Sequence, residues 1–197
     1  MEGHHVTDWK SLNYVVVDVE GNGQLPPDLV ELAAVPIVGG VIGEPVSWLV
    51  RPDQPITHFA RKIHGITNEQ AQEAPAFASV ETDVLKALDA SALVAHNAHI
   101  DVGVLQRKLG DWECPEVFDT LKLARRLLPG RGSYKLGSLV DEFELASGLD
   151  NSLQPHRATY DVLVTARLFV LLATSRTVEE LRDQPSGGAG DDVPKLF

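Results

Sequence analysis

The chain has 197 residues, of which 44% are hydrophobic and 23% are charged. This length and this ordinary composition predict one globular domain with its own core, and they exclude a chain that is disordered throughout. The formal net charge of -11 disfavours tight non-specific binding to duplex nucleic acid, because an acidic protein repels long polyanions.

Three further features bound the class of protein. No apolar run approaches the roughly 18–20 residues that a membrane-spanning helix needs. The polar segment Met1–Lys10 lacks the apolar core of a secretory signal peptide. A single cysteine, Cys114, permits neither an internal disulfide nor a cysteine metal cluster. We therefore expect a cytoplasmic protein.

The first part of the chain predicts three strands. Leu12–Val19 is rich in β-branched residues and has an acid near its end, which is typical of a buried strand. Leu29–Val38 and Val41–Val50 flank Gly39-Gly40, and this pattern predicts a hairpin. A loop region with short helical pieces is expected after Pro52.

The second part of the chain predicts helices that alternate with two short strands, Ala92–Ala95 and Val117–Phe118. Helices are expected at Phe77–Leu88, Asp101–Leu109 and Leu121–Leu128, around Leu136–Phe143, and along Val162–Ala173. This order favours an α/β fold in which a mixed sheet is covered by helices.

The domain limits follow from the same pattern. We expect the folded domain at residues 12–176, after an N-terminal extension at 1–11. The C-terminal segment, 177–197, is rich in Gly, Pro and Asp from Asp183 onwards, and it predicts a mostly flexible tail.

Two acids stand close together near the end of the first predicted strand. Asp18 and Glu20 are two residues apart, so both side chains leave the same face of a strand. Neighbouring carboxylates at the end of an apolar strand are costly unless a cation neutralises them. A strand that simply ends in solvent gives the same pattern, so this pair by itself leaves both interpretations open.

Two other clusters carry histidine and aspartate. His96 to Asp101 lies between a short strand and a helix, where Asp101 could serve as an N-cap or first-turn acid. His156 stands five residues before Asp161, around the start of the last long helix. Each cluster, taken alone, has an adequate structural explanation.

The ordered set of three clusters resembles the DEDD (DnaQ-like) exonuclease superfamily. Within it, His156 indicates the branch with a histidine in the third motif, which includes the proofreading subunit of bacterial DNA polymerase, ribonuclease T and oligoribonuclease. The D-x-E of the first motif is Asp18-Val19-Glu20, the second motif runs from His96 to Asp101, and the third pairs His156 with Asp161. Other stretches typical of the family are Val30–Val35, Ile63–Thr67, Phe118–Leu121 and Tyr134–Leu136.

The resemblance implies a ribonuclease H-like fold, with early antiparallel strands followed by parallel ones, and a metal-dependent 3′–5′ exonuclease. Such an enzyme hydrolyses single-stranded nucleic acid stepwise to nucleoside 5′-monophosphates with two Mg²⁺ or Mn²⁺ ions, which carboxylate oxygens suit. By resemblance, Asp18 bridges both ions, Glu20 and Asp161 bind the ion of the nucleophile, and Asp101 serves the other, partly through water. His156 is then the general base that takes a proton from the attacking water.

The resemblance also indicates substrate contacts. The turn formed by Gly21, Asn22 and Gly23 and the loop that carries His64 are expected to border the terminal nucleotide. Asn97 either contacts substrate or supports the second motif. Glu31 is expected to brace the sheet rather than bind metal, because an acid on a strand needs only a nearby partner.

Five bases and no acid occur between Thr120 and Val140: Lys122, Arg125, Arg126, Arg131 and Lys135. One interpretation is a solvated helix face. The other is a surface that tracks the phosphate backbone of the substrate, with Arg125, Arg131 and Lys135 as its main members.

Several functional alternatives remain open from the sequence. A phosphodiesterase for dinucleotides or short oligonucleotides fits the acidic balance, and a non-catalytic binding module would have no physical need for clustered carboxylates. RNA and DNA cannot be distinguished, since recognition of the 2′-hydroxyl depends on geometry. Leu196-Phe197 is either a disordered or folded-back end or a short peptide that docks into a partner.

Overall fold

A computed structural model describes residues 7–182. Its strands are β1 (Tyr14–Gly21), β2 (Leu29–Val38), β3 (Val41–Ile42), β4 (Val46–Leu49), β5 (Ala92–Ala95) and β6 (Glu116–Asp119). Its helices are α1 (His58–His64), α2 (Asn68–Glu73), α3 (Glu81–Ala87), α4 (His99–Leu109), α5 (Thr120–Leu127), α6 (Leu136–Phe143), α7 (Ala158–Ala173) and α8 (Val178–Arg182). None of the helices in this part of the chain has the length and hydropathy to cross a membrane.

The six strands form one mixed sheet in the order β3-β2-β1-β5-β6, with β4 also paired to β2. β1 pairs with β2 antiparallel and with β5 parallel, and β6 extends the parallel part. The interior strands are nearly continuous runs of buried apolar residues, as expected where helices cover both faces. The predicted fold, early antiparallel strands followed by parallel ones, is confirmed.

The second strand of the predicted hairpin is broken, so the expectation of one strand over Val41–Val50 is wrong. β3 pairs at Ile37↔Ile42, whereas β4 pairs at Ala34↔Val46 with its register shifted by one residue. The intervening segment ends in a proline, which has no N–H to donate to the sheet, and the extra residue forms a bulge there.

The helix predicted over Phe77–Leu88 is also divided. Phe77–Ser79 forms a 3₁₀ turn, and α3 begins only at Glu81. Val84 and Leu88 are buried as predicted, but Leu85 is 39% exposed, because it lies at the edge of the apolar face that those two residues form on α3.

Alternate residues of β1 face two cores. Tyr14 and Val16 pack with α7 on one face, whereas Val15 and Val17 belong to the apolar cluster on the other. By the same alternation, Asp18 and Glu20 leave the sheet on the face that α7 covers. The strand therefore directs both acids towards the helix that carries the third motif.

Both ends of the described chain pack on the domain. Trp9, which the sequence assigned to an N-terminal extension, is 2% exposed and contacts Tyr14 and Phe169. Val178 and Leu181 of α8 are buried in the same cluster. Leu196 and Phe197, for which the sequence leaves both a docking role and a disordered or folded-back end open, lie outside the described residues.

Candidate active site

Three carboxylates meet at the end of β1. Asp18 and Glu20 belong to β1, and Asp161 lies in the first turn of α7. One oxygen from each carboxylate lies within 4.8 Å of the others. The structure thus brings together the first and third motifs, which are separated by most of the chain.

Burial and mutual repulsion make these carboxylates hard to ionise. The pKa of Glu20 is raised to about 8, mainly by burial and then by the charges of Asp161 and Glu31. Burial, followed by the charges of Asp101 and Asp161, raises the pKa of Asp18 well above its ordinary value. The pKa of Asp161 is raised to about 6, again mainly by burial. A site of this kind favours a positive partner.

Asp101 approaches the same strand from α4. It lies in the first turn of that helix, is 5% exposed, and its Oδ1 accepts a hydrogen bond from the Val19 backbone N–H at 3.0 Å. Burial is the main reason that its pKa is raised to about 7. Because Val19 stands between Asp18 and Glu20, this bond fixes the second motif against the first.

His156 occupies the turn just before α7. Its backbone is left-handed, with φ of 61°, a conformation that a non-glycine residue holds only where the surroundings enforce it. The side chain is exposed. Both its charge and its backbone N–H act to lower the pKa of Asp161, so the histidine stands beside that carboxylate.

Glu31 braces the structure, as the sequence predicted. Arg157 donates from Nη2 to Glu31 Oε1 at 2.6 Å and from Nε to Oε2 at 3.0 Å, and the Ala158 backbone N–H donates to Oε2 at 3.0 Å. Both oxygens of Glu31 are therefore occupied by protein donors, which argues against a role as a metal ligand.

Comparison with known proteins decides the family. A family model described as Exonuclease matches residues 15–169, most of the chain. The chain belongs to this exonuclease family. The exonuclease family that the sequence motifs predicted is thereby confirmed.

Three similar members of the exonuclease family illustrate the match. Exodeoxyribonuclease 10 of Escherichia coli (strain K12) is 37% identical over 170 residues, which cover 85% of this chain and 73% of that protein. The 3′-5′ exonuclease DinG of Bacillus subtilis (strain 168) is 35% identical over 179 residues, which cover 87% of this chain but only 18% of DinG. The structure of Exonuclease X in complex with 5′ overhanging duplex DNA has a TM-score of 0.71 and 34% identity, covering 85% of this chain and 96% of that one.

The carboxylate cluster fits the divalent metal ions on which this exonuclease family depends. Asp18 Oδ2 is buried and accepts no hydrogen bond from any group within residues 7–182. A buried carboxylate oxygen without a donor is rare unless a cation or water satisfies it. Three hard oxygen donors at this spacing suit Mg²⁺ or Mn²⁺ rather than a soft metal.

The turn after β1 is held by buried hydrogen bonds of the Asn22 side chain. The Asn22 side chain is fully buried, where it donates to the Gln54 carbonyl and accepts from the backbone N–H groups of Gln24 and Asp28. A contact from this turn to a nucleotide must therefore come from backbone atoms. The predicted roles of Gly21, Asn22 and Gly23 in substrate binding stay predictions of that kind.

His64 is buried at the end of α1. It is 4% exposed, and its Nδ1 accepts a hydrogen bond from the Ile66 backbone N–H at 3.1 Å. Nε2 is buried without a hydrogen bond of regular geometry to the described residues. Burial lowers the pKa of His64, although its contact with the Gly21 backbone acts in the opposite direction. His64 thus lies behind the turn of Gly21, Asn22 and Gly23, which is named the nucleotide turn for its predicted role. Direct contact of His64 with substrate stays a prediction.

Asp119 is a positioning residue that sequence reasoning missed. Its carboxylate caps α5 through the N–H groups of Leu121 and Lys122, and it also accepts from the backbone N–H groups of Asn97 and Ala98. Asn97 has a left-handed backbone, with φ of 69°. The sequence Phe118–Leu121 carries a signal for this role, since an acid followed by a helix predicts an N-cap.

The five bases divide into two groups. Arg126 donates to the carbonyls of Glu180 and Leu181. Arg131 donates to Glu142 and to the Leu128 carbonyl, and it lies 5.1 Å above the Phe143 ring. The side chains with exposed positions are Lys122, Arg125 and Lys135. The structure therefore gives Arg131 an internal role and leaves these three as the better candidates for substrate contact.

Proposed function

We propose that this domain is a metal-dependent exonuclease that removes nucleotides stepwise from single-stranded 3′ ends. The observation that carries the proposal is the cluster of Asp18, Glu20 and Asp161, whose oxygens lie within 4.8 Å of one another. The 3′ polarity rests on the family. The single cysteine fits a reducing cytoplasm, which we propose as its setting.

Asp18, Glu20 and Asp161 would hold divalent metal, with Asp101 supporting a second ion. Bound metal would neutralise the carboxylates and stabilise the negative charge that develops on the phosphate oxygens. His156 takes a proton from the water that attacks phosphorus. The bond between phosphorus and the 3′ oxygen of the preceding nucleotide breaks, the 3′ oxygen gains a proton from solvent, and a nucleoside 5′-monophosphate leaves.

The path of the substrate is inferred from exposed groups around the cluster. Phe59 is 72% exposed on α1. Ala60 of this helix and its N-cap residue Thr57 lie against Gly23 of the nucleotide turn. An exposed aromatic ring there can stack on a base without sequence preference. Lys122, Arg125 and Lys135 are candidates for contacts to phosphates further along the strand.

A phosphodiesterase for dinucleotides or short oligonucleotides is the second candidate. Two of the five bases in the basic stretch, Arg126 and Arg131, are engaged within the protein, and the net charge is -11. Few cations of this stretch therefore remain to hold a long polyanion. A non-catalytic module is disfavoured, because a scaffold has no need for carboxylates that repel one another.

The decisive experiment is digestion of 5′-labelled single-stranded RNA, single-stranded DNA and dinucleotides, in Mg²⁺, in Mn²⁺ and in EDTA. The proposal expects a ladder that shortens from the 3′ end, mononucleotides that carry 5′-phosphates, and no products in EDTA. Cleavage of dinucleotides alone would select the second candidate. Undiminished products in EDTA would contradict the metal-dependent mechanism.

A further inference from the structure

Glu31 stands directly opposite the metal-site residue Glu20. The two are paired in the antiparallel register of β1 and β2, so their side chains leave the same face of the sheet. Like charges in opposite positions are unfavourable. The Glu31 side chain is only 7% exposed, and its contact with Arg157 neutralises it there. The Glu31–Arg157 ion pair therefore lies at the border of the carboxylate cluster.

The same carboxylate determines where α7 begins. Glu31 Oε2 accepts the N–H of Ala158, the first residue of α7, at 3.0 Å. An N-terminal helix group is thus capped by a residue of β2, far away in the sequence. Together with the two bonds from Arg157, this contact joins the start of α7 to β2 through three hydrogen bonds.

Arg157 is joined closely to both functional residues of the third motif. His156 precedes it by one peptide bond and has the left-handed backbone already described. The Arg157 carbonyl accepts the backbone N–H of Asp161 at 3.0 Å. A displacement of Arg157 would therefore move the histidine and the aspartate together.

We propose that the Glu31–Arg157 ion pair is a positioning device that holds His156 and Asp161 on α7 in register with Asp18 and Glu20 on β1. The inference rests on the proposed nuclease function. Neither residue is assigned a contact with the reacting atoms. Loss of the pair should reduce turnover and metal affinity, and substrate binding should change little.

The variants must separate positioning from folding. Arg157→Ala alone would leave a buried carboxylate without its cation and can unfold the chain. Arg157→Lys keeps the charge but replaces the planar fork with a single ammonium. Glu31→Gln/Arg157→Met removes the charged pair, while the new amide can still accept the Ala158 N–H.

Arg167 provides the matched control on the same helix. Its Nη1 donates to the carbonyls of Leu145 at 2.8 Å and Ser147 at 2.7 Å, so it ties α7 to a loop rather than to the carboxylate cluster. Arg167→Lys therefore loosens α7 without touching the proposed device.

The experiment measures kcat, KM and Mn²⁺ affinity for the wild type, both Arg157 variants and the control, each with circular dichroism to verify folding. For Arg157→Lys, kcat should fall about tenfold, and for the double variant about a hundredfold, the usual effect of an error of about 1 Å in positioning. KM should stay within about twofold, and Mn²⁺ should bind the double variant about tenfold more weakly. The Arg167→Lys control should keep wild-type values.

The outcomes separate this inference from the proposed function. A wild type without nuclease activity would overturn the proposed function, and the Mn²⁺ affinities alone would then decide the positioning role. Wild-type kcat and Mn²⁺ affinity in a folded double variant would overturn the positioning device. Equal losses in Arg167→Lys would also overturn it, since they would show that any loosening of α7 has the same effect.

Discussion

Glu20 and Asp161 lie far apart in the sequence, yet a carboxylate oxygen of one lies within 4.8 Å of a carboxylate oxygen of the other. Burial is the main reason that the pKa of Glu20 is raised to about 8, and the charge of Asp161 is the next. Without metal, the folded chain must either keep protons on this cluster or tolerate repulsion within it. Stability and metal binding are therefore coupled at this site.

Glu20→Gln should stabilise the metal-free protein at high pH. Because the folded-state pKa of about 8 exceeds the ordinary value of 4.5, the folded state binds this proton more tightly than the unfolded state. Ionised Glu20 thus reduces stability fully above pH 8, and the cost disappears as the pH falls towards 4.5. We expect Glu20→Gln to raise the free energy of unfolding by about 1–3 kcal/mol in EDTA at pH 8.

Urea unfolding in EDTA at pH 8, 6.5 and 5 tests this expectation. The advantage of the variant over wild type should shrink at each step towards low pH. Glu73→Gln, at an exposed position of α2, is the matched control and should show no such trend. An advantage for Glu20→Gln that is independent of pH would show that repulsion in the cluster is not its cause.

Divalent metal should stabilise the folded protein through Asp18. At pH 8, a free metal concentration of about a hundred times Kd should raise Tm by about 5–10 °C. Asp18→Asn should abolish most of this shift and lower kcat by about a hundredfold or more. Thermal unfolding in EDTA, Mg²⁺ and Mn²⁺ measures the first effect. A full metal-dependent shift in Asp18→Asn would place the ion elsewhere.

The sequence predicted those strands that have a clear local pattern of apolar and β-branched residues. The β-branched run before Asp18 and the apolar segment Leu29–Val38 became β1 and β2, and Ala92–Ala95 is β5 as expected. Asp18 and Glu20 could be assigned to one face because strand alternation is a local property. The third motif could be joined to them only through the family resemblance.

What the sequence could not show depends on distant partners. Glu31 and Arg157 are 126 residues apart, and only the position of an acid within an apolar strand indicates that Glu31 needs a cation. The burial of His64 and Asn22 likewise depends on how α1 packs against the turn. Trp9 was missed because its contacts, Tyr14 and Phe169, form only in the complete fold.

His156→Ala should reduce turnover without loss of metal binding. Removal of a general base costs about 10²–10⁴ in rate, and the acidic limb of the pH profile of kcat should disappear with it. Mn²⁺ affinity should stay near the wild-type value, because His156 lies beside Asp161 but is not one of the three clustered carboxylates. His99→Ala, at an exposed position at the start of α4, is the control, and an equal loss there would contradict the assigned role.

The basic stretch should separate into binding and structural residues. Replacement of Lys122, Arg125 or Lys135 by Ala should reduce the salt dependence of substrate binding by about 0.7–1 for each lost phosphate contact. Arg131→Ala should instead lower Tm, because its contacts with Glu142, Leu128 and Phe143 stabilise the fold. Fluorescence anisotropy with labelled single strands at several salt concentrations measures the slopes. An unchanged slope in the triple variant would leave the stretch as a solvated face.

Gly23→Ala should impair both folding and substrate use, whereas Gly39→Ala should affect folding alone. Both glycines have a left-handed backbone, with φ of 76° and 59°, so each alanine costs about 1–2 kcal/mol of backbone strain. A Cβ on Gly23 would also collide with Thr57 Oγ1 and lie 2.9 Å from Ala60 Cβ, which would push α1 away from the nucleotide turn. A Cβ on Gly39 would meet no atom of residues 7–182 within 4 Å. Urea unfolding should therefore show a loss of stability in both variants, whereas KM for a single-stranded substrate should rise for Gly23→Ala only. A wild-type KM in Gly23→Ala would show that the turn takes no part in substrate binding.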